Sequence, residues 1–538
     1  MKTIAIVAAL FLSATAFAAQ GQSYYLDARE GDDSRDGLTA ETAWNTLSKV
    51  EKIALKGGDQ VLLKRGADFE GSLVLNNVTG SELAPIIVDA YGEGALPIID
   101  AAATGPAVEL NSCSYVQVKN LELTSDASKA KQVKTNHHGV LLTSTKTTSC
   151  SHILLQGLYI HDTFDLDAVQ GRGIICNAKD LKRLDDLTVE NCRIERTCVT
   201  GIFIRAADNV RILNNKLKDI GGPGINILIA KNLLIRGNEV DHSGSKIDSR
   251  MHGRGSGAWT LAVTDGLVEK NKFMHAWGIN DSCGFHMDIG NRNLVAQYNL
   301  SVDNAGGFVE ILGDNHNCAY RYNISINDGW RVKGKDRNLQ PSDDPETKAP
   351  NFGYVLWTSG FTANKGRIGP WNSYIYNNTI YVKKEMPATF SFGSTTDGLL
   401  IANNIFQVMG ESQDVHGIQD NKREPEGAKI QNVVCKNNLY NREGVIPENS
   451  QIKDSKPIIG DAEFVNAGGE NAEDYIPKAE GMVKGKGIRI EKLPSDKEGL
   501  KIGFDVKTDF FGNPVGETPS LGAIEPGYAA QGKVSEGK

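Results

Sequence analysis

Short stretches of alternating apolar and polar residues recur between Gly201 and Asn323. Strict alternation predicts a β-strand, because successive side chains of a strand point to opposite faces. Each repeat has one such stretch, a polar turn, a second β-rich stretch and an asparagine toward its end. Written from their leading glycines, the repeats are GIFIRAADNVRILNNKLKDIGGP, GINILIAKNLLIRGNEVDHSGS, GAWTLAVTDGLVEKNKFMHAWG, GFHMDIGNRNLVAQYNLSVDNA and GFVEILGDNHNCAYRYNISIND.

The repeats have a short period and contain no helical pattern. Gly201 and Gly224 bound the shortest repeat, of 23 residues, and the longer repeats carry insertions. Strands at such a period predict an all-β solenoid, in which each repeat forms one coil that packs on its neighbours. The other leading glycines are Gly257, Gly284 and Gly307, and the repeated asparagines are Asn215, Asn238, Asn271, Asn299 and Asn323.

The composition is compatible with one long solenoid domain. The chain has 538 residues, including 57 glycines and 17 prolines, and a solenoid grows by adding coils rather than globular units. The formal net charge of −8 argues against nucleic acid as a partner, because phosphate-binding surfaces carry a basic excess. We expect a monomer that binds neither nucleic acid nor a membrane.

Residues 1–18 have the three parts of a secretory signal peptide. Lys2 is followed by the apolar run IAIVAALFL and then by Ala16-Phe17-Ala18, a small-residue cleavage site. The apolar run is shorter than the roughly 20 residues that a membrane span requires. The sequence therefore predicts a secreted or periplasmic protein that begins near Ala19.

Eight cysteines in an exported chain raise the question of disulfide bonds. The segments SCSYVQVKNLEL and SCSHILLQGLYI place Cys113 and Cys150 at the same position of successive coils. These two are predicted to be neighbours, either as a disulfide or as two buried thiols. The other six lack the CxxC pairs of a zinc site, so we interpret them as core or bridge residues.

The ends of the chain differ from the repeats. Tyr24–Val50 predicts a strand, an acidic turn and a short amphipathic helix that carries Trp44, Leu47 and Val50 and caps the open end of the solenoid. The polar segment at 331–351 predicts a long loop. Coils continue through YIYNNTIYV, LLIANNIFQV and VVCKNNLYN. The solenoid domain is predicted over 19–525, with a disordered tail at 526–538.

Several of these segments carry a family resemblance. The opening YYLDAREGDDSRDGLTAETAWNTL, the Asn-marked coils and the closing DFFGNP…LGAIE resemble exported right-handed parallel β-helix proteins of the pectate-lyase-like superfamily. The resemblance implies a single-stranded right-handed parallel β-helix. It implies either a glycoside hydrolase or a polysaccharide lyase, since that superfamily contains both. The stretch GFHMDIGNRNLVAQYNLSVDNAGGF is similar to stretches of β-helical glycoside hydrolases in which acidic residues lie on the exposed strand.

Strand alternation assigns side chains to the lumen of the solenoid or to its outer face. The first and third residues after each leading glycine are predicted to line the lumen, and the second and fourth to face outward. The predicted lumen residues are Ile202, Ile204, Ile225, Ile227, Ala258, Thr260, Phe285 and Met287. The predicted outer residues are Phe203, Arg205, Asn226, Leu228, Trp259, Leu261, His286 and Asp288.

The next coil needs a shift of register. Strict counting from its leading glycine places Glu310 in the apolar lumen, where an unpaired carboxylate is costly. A bulge at Gly306-Gly307 moves Phe308 and Glu310 to the outer face, stacked against His286 and Asp288. We adopt this register, which puts Asp288 and Glu310 on adjacent strands about 5 Å apart at the backbone.

Paired carboxylates that face solvent suit glycosidic cleavage. Their mutual repulsion raises one pKa, so that one group is the acid and the other the base or nucleophile. An exposed pair without catalytic function, or a cation site, is the competing interpretation. Asp303, in the following turn, is a third candidate carboxylate, although turn formation also explains it. His286 is a candidate proton carrier or a structural hydrogen-bonding residue.

Substrate-binding candidates surround this pair. Trp259 suits stacking on a sugar ring, although packing under a loop explains it equally well. Arg205 and Asn226 lie on the same predicted face, and His252 and Arg254 lie in an insertion at its edge.

Three functions remain open. We expect hydrolysis of a cell-wall polysaccharide, with no metal or other cofactor. The alternative is β-elimination on a uronic-acid polymer, with a base among Arg205, Arg254, Lys333 and Lys335 and with Ca²⁺ bound by the carboxylates. The third possibility is a glycan-binding protein without catalytic activity, which needs only the row of aromatic and polar side chains on the outer face.

Overall fold

The computed structural model describes residues 21–102, 105–129, 136–166, 170–332, 352–363, 366–415, 427–478 and 480–527. The predicted signal peptide, Lys333 and Lys335, and most of the predicted loop at 331–351 and tail at 526–538 lie outside these residues.

In the described part of the chain, thirty-eight strands wind into a parallel β-helix with three faces. Every pairing between successive coils is parallel, as the repeat predicts (for example β18 with β20, and β23 with β26). Sheet 1 contains β1 (Ser23–Leu26), β2 (Gln60–Lys64), β5 (Ile86–Tyr91), β8 (Ser114–Lys119), β11 (Ser151–Gln156), β14 (Leu184–Glu190), β21 (Thr264–Glu269), β24 (Arg292–Gln297), β27 (His316–Arg321), β30 (Trp371–Tyr376), β33 (Asp397–Ala402) and β36 (Gln431–Lys436).

Sheet 2 has 14 strands, which form the second face of each coil. They are β3 (Asp68–Glu70), β6 (Ile98–Asp100), β9 (Glu122–Asp126), β12 (Tyr159–Phe164), β15 (Arg193–Thr197), β17 (Lys216–Ile220), β19 (Glu239–Ser243), β22 (Lys272–Met274), β25 (Leu300–Val302), β28 (Ile324–Ile326), β31 (Thr379–Val382), β34 (Ile405–Val408), β37 (Leu439–Tyr440) and β38 (Ile458–Ile459).

Sheet 3 forms the face that the leading glycines introduce. The long strands β16 (Ile202–Leu213) and β18 (Ile225–Arg236) run through sheet 3 into sheet 1 and join the two. The remaining strands of sheet 3 are β4 (Leu73–Asn76), β7 (Val108–Asn111), β10 (Val140–Thr143), β13 (Ile174–Asn177), β20 (Ala258–Leu261), β23 (Phe285–Met287), β26 (Gly307–Ile311), β29 (Tyr354–Thr358), β32 (Ala388–Phe392) and β35 (Ser412–Asp414).

The lumen is apolar and matches the predicted alternation. The side chains predicted to line it are fully buried: Ile202, Ile204, Ile225, Ile227, Ala258, Thr260, Phe285 and Met287. The predicted all-β solenoid and its strand register between β16 and β23 are therefore confirmed.

Helices are few and short in the described part of the chain. The helix predicted in the opening segment is a six-residue 3-10 helix, Leu47–Lys52, whose Leu47 and Val50 are buried in the core. Trp44 precedes this helix and forms a β-bridge with Leu26; the cap function of this segment stays a prediction. The other helices are the 3-10 turns Ala127–Lys129 and Ala472–Tyr475 and the four-residue α1 (Glu480–Val483). No described helix has the length and apolar character needed to cross a membrane.

All eight cysteines are buried free thiols. Cys113 and Cys150 occupy equivalent positions of successive coils, because Ser114 pairs with Ser151. Each thiol donates to a backbone carbonyl of the coil before it, that of Leu75 at 3.2 Å and that of Leu110 at 3.3 Å. The pair is therefore two buried thiols rather than a disulfide.

A column of buried asparagines runs along the corner between sheets 1 and 2. From Asn238 onward, each side-chain oxygen accepts from the backbone N–H and from the side-chain amide of the asparagine one coil earlier, as Asn271 does from Asn238 at 2.9 Å for both bonds. The oxygen of Asn215, at the start of the column, accepts from the backbone N–H of Cys192 at 2.9 Å. Each amide also donates to a carbonyl, as Asn271 does to that of Ile235 at 3.0 Å. The column consists of Asn215, Asn238, Asn271, Asn299, Asn323, Asn378, Asn404 and Asn438.

The segment after β38 folds back over the outside of the solenoid. Tyr475 and Leu521 pack on the outer side of sheet 2 around Ile324. Leu493 and Leu500 pack on the outer side of sheet 1. Because this segment covers sheets 1 and 2 on the later coils, their outer faces are buried there, whereas the corresponding part of sheet 3 borders a cavity.

We expect that Asn271→Ala lowers the free energy of unfolding by about 2 to 4 kcal/mol, because it removes the acceptor of the buried Asn238 backbone N–H and breaks the hydrogen bonds to the Asn238 side-chain amide and the Ile235 carbonyl. Urea denaturation followed by circular dichroism measures this. Asn76→Ala is the control, because Asn76 is exposed and accepts a single hydrogen bond from Asn111; its effect should be within about 0.5 kcal/mol. Equal effects of the two substitutions would contradict a stabilising column.

Candidate functional site

A single row of outward side chains crosses six coils of sheet 3. Backbone pairing aligns Phe203 with Asn226, Asn226 with Trp259, and Trp259 with His286. The pairing of Met287 with Ile311 places Glu310 beside His286 in the next coil, and Glu310 pairs with Trp357 beyond it. The indole of Trp259 stacks on the imidazole of His286, with ring centroids 5.7 Å apart.

A cavity of about 480 Å³ lies over this row. Its size is within the range of small-ligand sites. The loops that enter sheet 3 form one wall, and residues around β29 form the other. The lining residues are Arg172, Val199, Thr200, Phe203, Pro223, Asn226, His252, Arg254, Trp259, Asn280, Asp281, Cys283, His286, Asp288, Gly306, Glu310, Leu312, Arg331, Phe352, Tyr354, Trp357 and Phe361.

The cavity brings together seven of the nine residues predicted for the site, namely Asn226, His252, Arg254, Trp259, His286, Asp288 and Glu310. Arg205 and Asp303 do not line it. Arg205 pairs with Leu228, one row farther along the strands. Asp303 follows β25 of sheet 2, where its backbone oxygen accepts from the indole N–H of Trp277 at 2.8 Å. The interpretation of Asp303 as a member of this site is therefore wrong.

The register at β26 is partly different from the prediction. Glu310 faces outward as expected, but it aligns with His286 rather than with Asp288. Phe308 aligns with Gly284 and is buried, with its ring against Tyr320 in the core, so its predicted outward position is wrong. Gly307 has a φ of +130°, and this left-handed backbone changes the alternation at the start of the strand.

Asp288 directly follows β23, at the floor of the cavity. Its backbone carbonyl accepts from the side-chain amides of Asn291 and Asn315, both at 2.7 Å, which fixes the end of the strand. Burial raises the pKa of the Asp288 carboxyl to about 7, and the nearby charge of Asp281 adds to this rise. Arg254 and the backbone N–H of Ile289 oppose the rise without cancelling it. Asp288 is therefore only partly ionised near neutral pH.

Asp281 is a cavity carboxylate that the sequence analysis did not identify. It lies in the loop between β22 and β23, and 38% of its side chain is exposed. Arg254 forms an ion pair with it through two N–H···O contacts of 3.0 and 3.3 Å. Strand alternation carries no information about a loop residue. The only feature of the sequence that could have indicated Asp281 is its position seven residues before Asp288, in a loop that enters the predicted site.

Glu310 lies deeper, and its side chain is engaged by the protein. The thiol of Cys283 donates to its Oε2 at 2.9 Å. The charge of the buried Arg331 also acts on this cluster. Arg331 donates to the backbone carbonyls of Asp281 at 3.1 Å and Gly278 at 3.4 Å, which holds the loop that carries Asp281. Burial, followed by the charge of Glu310, raises the pKa of the Cys283 thiol well above its usual range.

His286 is a neutral, buried imidazole. Burial lowers its pKa to about 4, and its Nδ1 shares a hydrogen bond of 3.1 Å with the hydroxyl of Ser256. An imidazole that is neutral at physiological pH brings no positive charge to the site. It acts there by donating and accepting hydrogen bonds, which orients neighbouring groups.

Three buried polar atoms of the described cavity residues have no hydrogen-bond partner in the protein. They are the indole N–H of Trp357, the side-chain oxygen of Asn226 and the Nε–H of Arg172. An unpaired buried donor or acceptor is costly, and a polyhydroxyl ligand presents both donors and acceptors. Trp357 and Asn226 are therefore suited to binding sugar hydroxyls.

One group of possible metal ligands lies in the cavity. The ligand atoms of Cys283, His286 and Glu310 lie within 4.8 Å of one another. A thiol, an imidazole and one carboxylate differ from the all-oxygen ligands that Ca²⁺ requires. Of the bases proposed for elimination, the two in the described part of the chain are poorly placed, because Arg254 is paired with Asp281 and Arg205 lies outside the cavity.

Comparison with known proteins agrees with the fold. Residues 172–340 match the family model described as a right handed beta helix region. The chain is 24% identical to a lacto-N-biosidase of Bifidobacterium longum subsp. longum, over an alignment that covers 94% of this chain. The chain spans only 36% of the length of that relative.

Solved structures give the same result. The native GH136 lacto-N-biosidase of Eubacterium ramulus aligns with a TM-score of 0.52 and 22% identity, over 73% of this chain and 68% of that one. Its selenomethionine derivative aligns with a TM-score of 0.52 and 23% identity over the same shares. The predicted resemblance to right-handed parallel β-helix proteins that act on carbohydrates is confirmed, and this chain has the right-handed parallel β-helix fold.

The raised pKa of Asp288 predicts a pH-dependent effect on stability. The unfolded chain releases this proton near pH 4 and the folded chain near pH 7, so the folded state loses stability as the pH rises between these values. Asp288→Asn removes the penalty and should raise Tm relative to the wild type at pH 8 but not at pH 4, by an amount equivalent to about 2 kcal/mol. Thermal melts at both pH values measure this. The exposed-site control Asp68→Asn should shift Tm equally at both pH values.

Proposed function

We propose that this protein is an exported glycoside hydrolase that cleaves a glycosidic bond in the cavity over sheet 3. The main support is the pair of carboxylates in one cavity, Asp288 with its raised pKa and Asp281 in an ion pair with Arg254. Glycosidic cleavage requires one carboxyl group that holds a proton and one that is ionised. The similarity to lacto-N-biosidases supports the same class of reaction.

Asp288 is the proposed general acid. Its proton passes to the glycosidic oxygen as the bond to the anomeric carbon breaks, so the leaving sugar departs as a neutral alcohol. Asp281 is the proposed second carboxylate, which stabilises positive charge at the anomeric carbon and supports attack there, directly or through a water molecule. Measuring the anomeric configuration of the first product by NMR distinguishes these two routes.

The pair that was predicted, Asp288 with Glu310, requires revision on physical grounds. Glu310 is 5% exposed and accepts a hydrogen bond from Cys283, and its charge lies near Arg331. The carboxylate whose charge raises the pKa of Asp288 is Asp281. We therefore assign Glu310 a positioning role, in which it holds Arg331 and thereby the loop of Asp281.

Aromatic and amide groups of the cavity are the proposed substrate contacts. The exposed part of Trp259 offers an apolar face to a sugar ring. The unpartnered Trp357 N–H and Asn226 oxygen offer a donor and an acceptor to hydroxyl groups. His252 and Arg254 lie at the cavity edge, where both are exposed.

The substrate class is proposed from the cavity and from the relatives. A glycan that carries lacto-N-biose is the first substrate to test, because the similar proteins are named lacto-N-biosidases. A cell-wall polysaccharide, the substrate expected from the family resemblance, is the second. An assay on both should include product sizes, since a cavity of about 480 Å³ holds only a few sugar units.

If the proposed roles hold, Asp288→Asn and Asp281→Asn each lower kcat by roughly 10²-fold or more, because each removes a group that acts in the transition state. The release of reducing ends measures this. Glu310→Gln should retain more activity than either variant, and Asp68→Asn should have wild-type activity.

Full activity in Asp281→Asn together with inactivity in Glu310→Gln would restore the predicted pair. Products that absorb in the ultraviolet would instead indicate elimination, and binding without products a non-catalytic protein.

The raised pKa of Asp288 predicts the basic limb of the pH–rate profile. Because the general acid must hold its proton, kcat/KM should fall as the pH rises above about 7. Steady-state kinetics from pH 5 to 9 measure this limb. A substrate with an activated leaving group needs little protonation, so Asp288→Asn should lose less activity on an aryl glycoside than on the natural bond. An unchanged ratio of activities on the two substrates would count against Asp288 as the acid.

A further inference from the structure

Asp241, His242 and His275 form a cluster on the outer side of sheet 2, away from the cavity residues. Asp241 and His242 are consecutive residues of β19, and His275 directly follows β22 in the next coil. Strand alternation would send Asp241 and His242 to opposite faces. The backbone of His242 has a φ of +57° and that of His275 a φ of +54°, and this left-handed bend breaks the alternation so that the three polar side chains converge.

The ligand atoms of the cluster point toward a common centre. Nδ1 of His275 lies 2.7 Å from Oδ1 of Asp241, and Nδ1 of His242 lies 2.8 Å from the same oxygen. One atom from each residue lies within 4.8 Å of the others. The His275 contact is a hydrogen bond. Nδ1 of His242 is buried and has no hydrogen bond despite the short distance, so its direction does not suit a proton shared with Asp241.

Neighbouring residues cover one side of the cluster and leave it partly open to solvent. The indole of Trp277 meets both imidazole rings edge to face, at 5.1 Å from His242 and 5.4 Å from His275. Trp277 is held in turn by its hydrogen bond to the Asp303 carbonyl. The three polar side chains are between 21% and 28% exposed, so an ion can reach them from solvent.

We propose that Asp241, His242 and His275 bind a divalent transition-metal cation such as Zn²⁺. Two imidazole nitrogens and one carboxylate oxygen are a ligand set that Zn²⁺ takes, with solvent in the remaining position. Ligand atoms of a tetrahedral Zn²⁺ site lie about 3.3 Å apart, so binding lengthens the present contacts of 2.7 and 2.8 Å by roughly half an ångström. The cation also gives the Nδ1 of His242 a partner.

The position of this site couples it to the cavity. His242 precedes the loop that carries His252 and Arg254, and His275 begins the loop that carries Asp281. The two loops also contact each other directly, through the Ile279 N–H bonded to the Gly253 carbonyl at 3.0 Å. A bound cation fixes the start of both loops. Its effect on catalysis rests on the proposed function, whereas its binding does not.

Equilibrium dialysis of the full, untagged chain against Zn²⁺, followed by elemental analysis, tests the proposal. We expect one Zn²⁺ per wild-type chain, with binding weakened by roughly 100-fold or more in His242→Ala and in His275→Ala. His152→Ala is the matched control, because His152 also pairs with one aspartate, Asp186 at 2.8 Å, but has no second histidine beside it. This control should bind one Zn²⁺ like the wild type.

A second variant separates this site from the ligand group in the cavity. Cys283→Ser removes the thiol of the Cys283, His286 and Glu310 group and should leave the Zn²⁺ bound at the Asp241 cluster. Loss of the ion in Cys283→Ser, or its retention in both histidine variants, would overturn the assignment. No binding by the wild type at Zn²⁺ concentrations of roughly 100 μM would also overturn it, since Zn²⁺ sites of proteins bind far more tightly.

Thermal melts give a readout that does not depend on activity or substrate. Zn²⁺ that binds only the folded state should raise Tm of the wild type and of His152→Ala, and should leave Tm of His275→Ala unchanged. Circular dichroism of the metal-free variants checks that each is folded. If Zn²⁺ binds and stabilises the chain but no glycan is cleaved, the proposed function fails while the metal site stands. If glycans are cleaved and no Zn²⁺ binds, the reverse holds.

Discussion

The column of buried asparagine side chains sets how each coil lies on the next. An amide buried at the corner between sheets 1 and 2 must find its partners, because leaving it unpaired costs about as much as a core substitution. In the described coils most of these partners lie at the same corner of an adjacent coil, as between Asn299 and Asn323 at 2.9 Å. A slip of one residue in either coil would break several of these bonds at once. The column therefore holds the coils in a single register, even though the lengths of the intervening loops differ.

That register is what makes the cavity possible. Because every coil is aligned at the corner, the second residues of β16, β18, β20 and β23 fall in one line with the fourth residues of β26 and β29, from Phe203 to Trp357. Stacked strands bring side chains of different coils about 5 Å apart, close enough for the rings of Trp259 and His286 to stack. The repeat is thus both the structural unit of the solenoid and the means by which residues distant in sequence are assembled into one site.

The loops then give the row its chemistry. The strands supply a floor of aromatic and polar groups. Burial is the main cause of the raised pKa of Asp288, and the side chains whose charges add to it or oppose it come from the insertions between coils, Asp281 from one loop and Arg254 from another. Buried charges in this region have partners of opposite charge or hydrogen bonds, as Glu310 has in Cys283. Asp288 accepts a hydrogen bond from the backbone N–H of Ile289 at 2.9 Å, yet burial still raises its pKa, and strongly perturbed pKa values are typical of functional sites.

The sequence by itself determined the fold class, the coil boundaries, the asparagine positions and the outward placement of Trp259, His286 and Asp288, because these depend on a two-residue alternation and a repeated period that are local properties. It did not determine that Glu310 lies beside His286 rather than Asp288, or that Phe308 enters the core, because the backbone at Gly307 changes the alternation. It also missed Asp281 and misplaced Asp303. Only the tertiary structure decided which insertions pack over sheet 3 and which lie beside sheet 2. The path of an insertion depends on its packing against loops of other coils and not on its own residues.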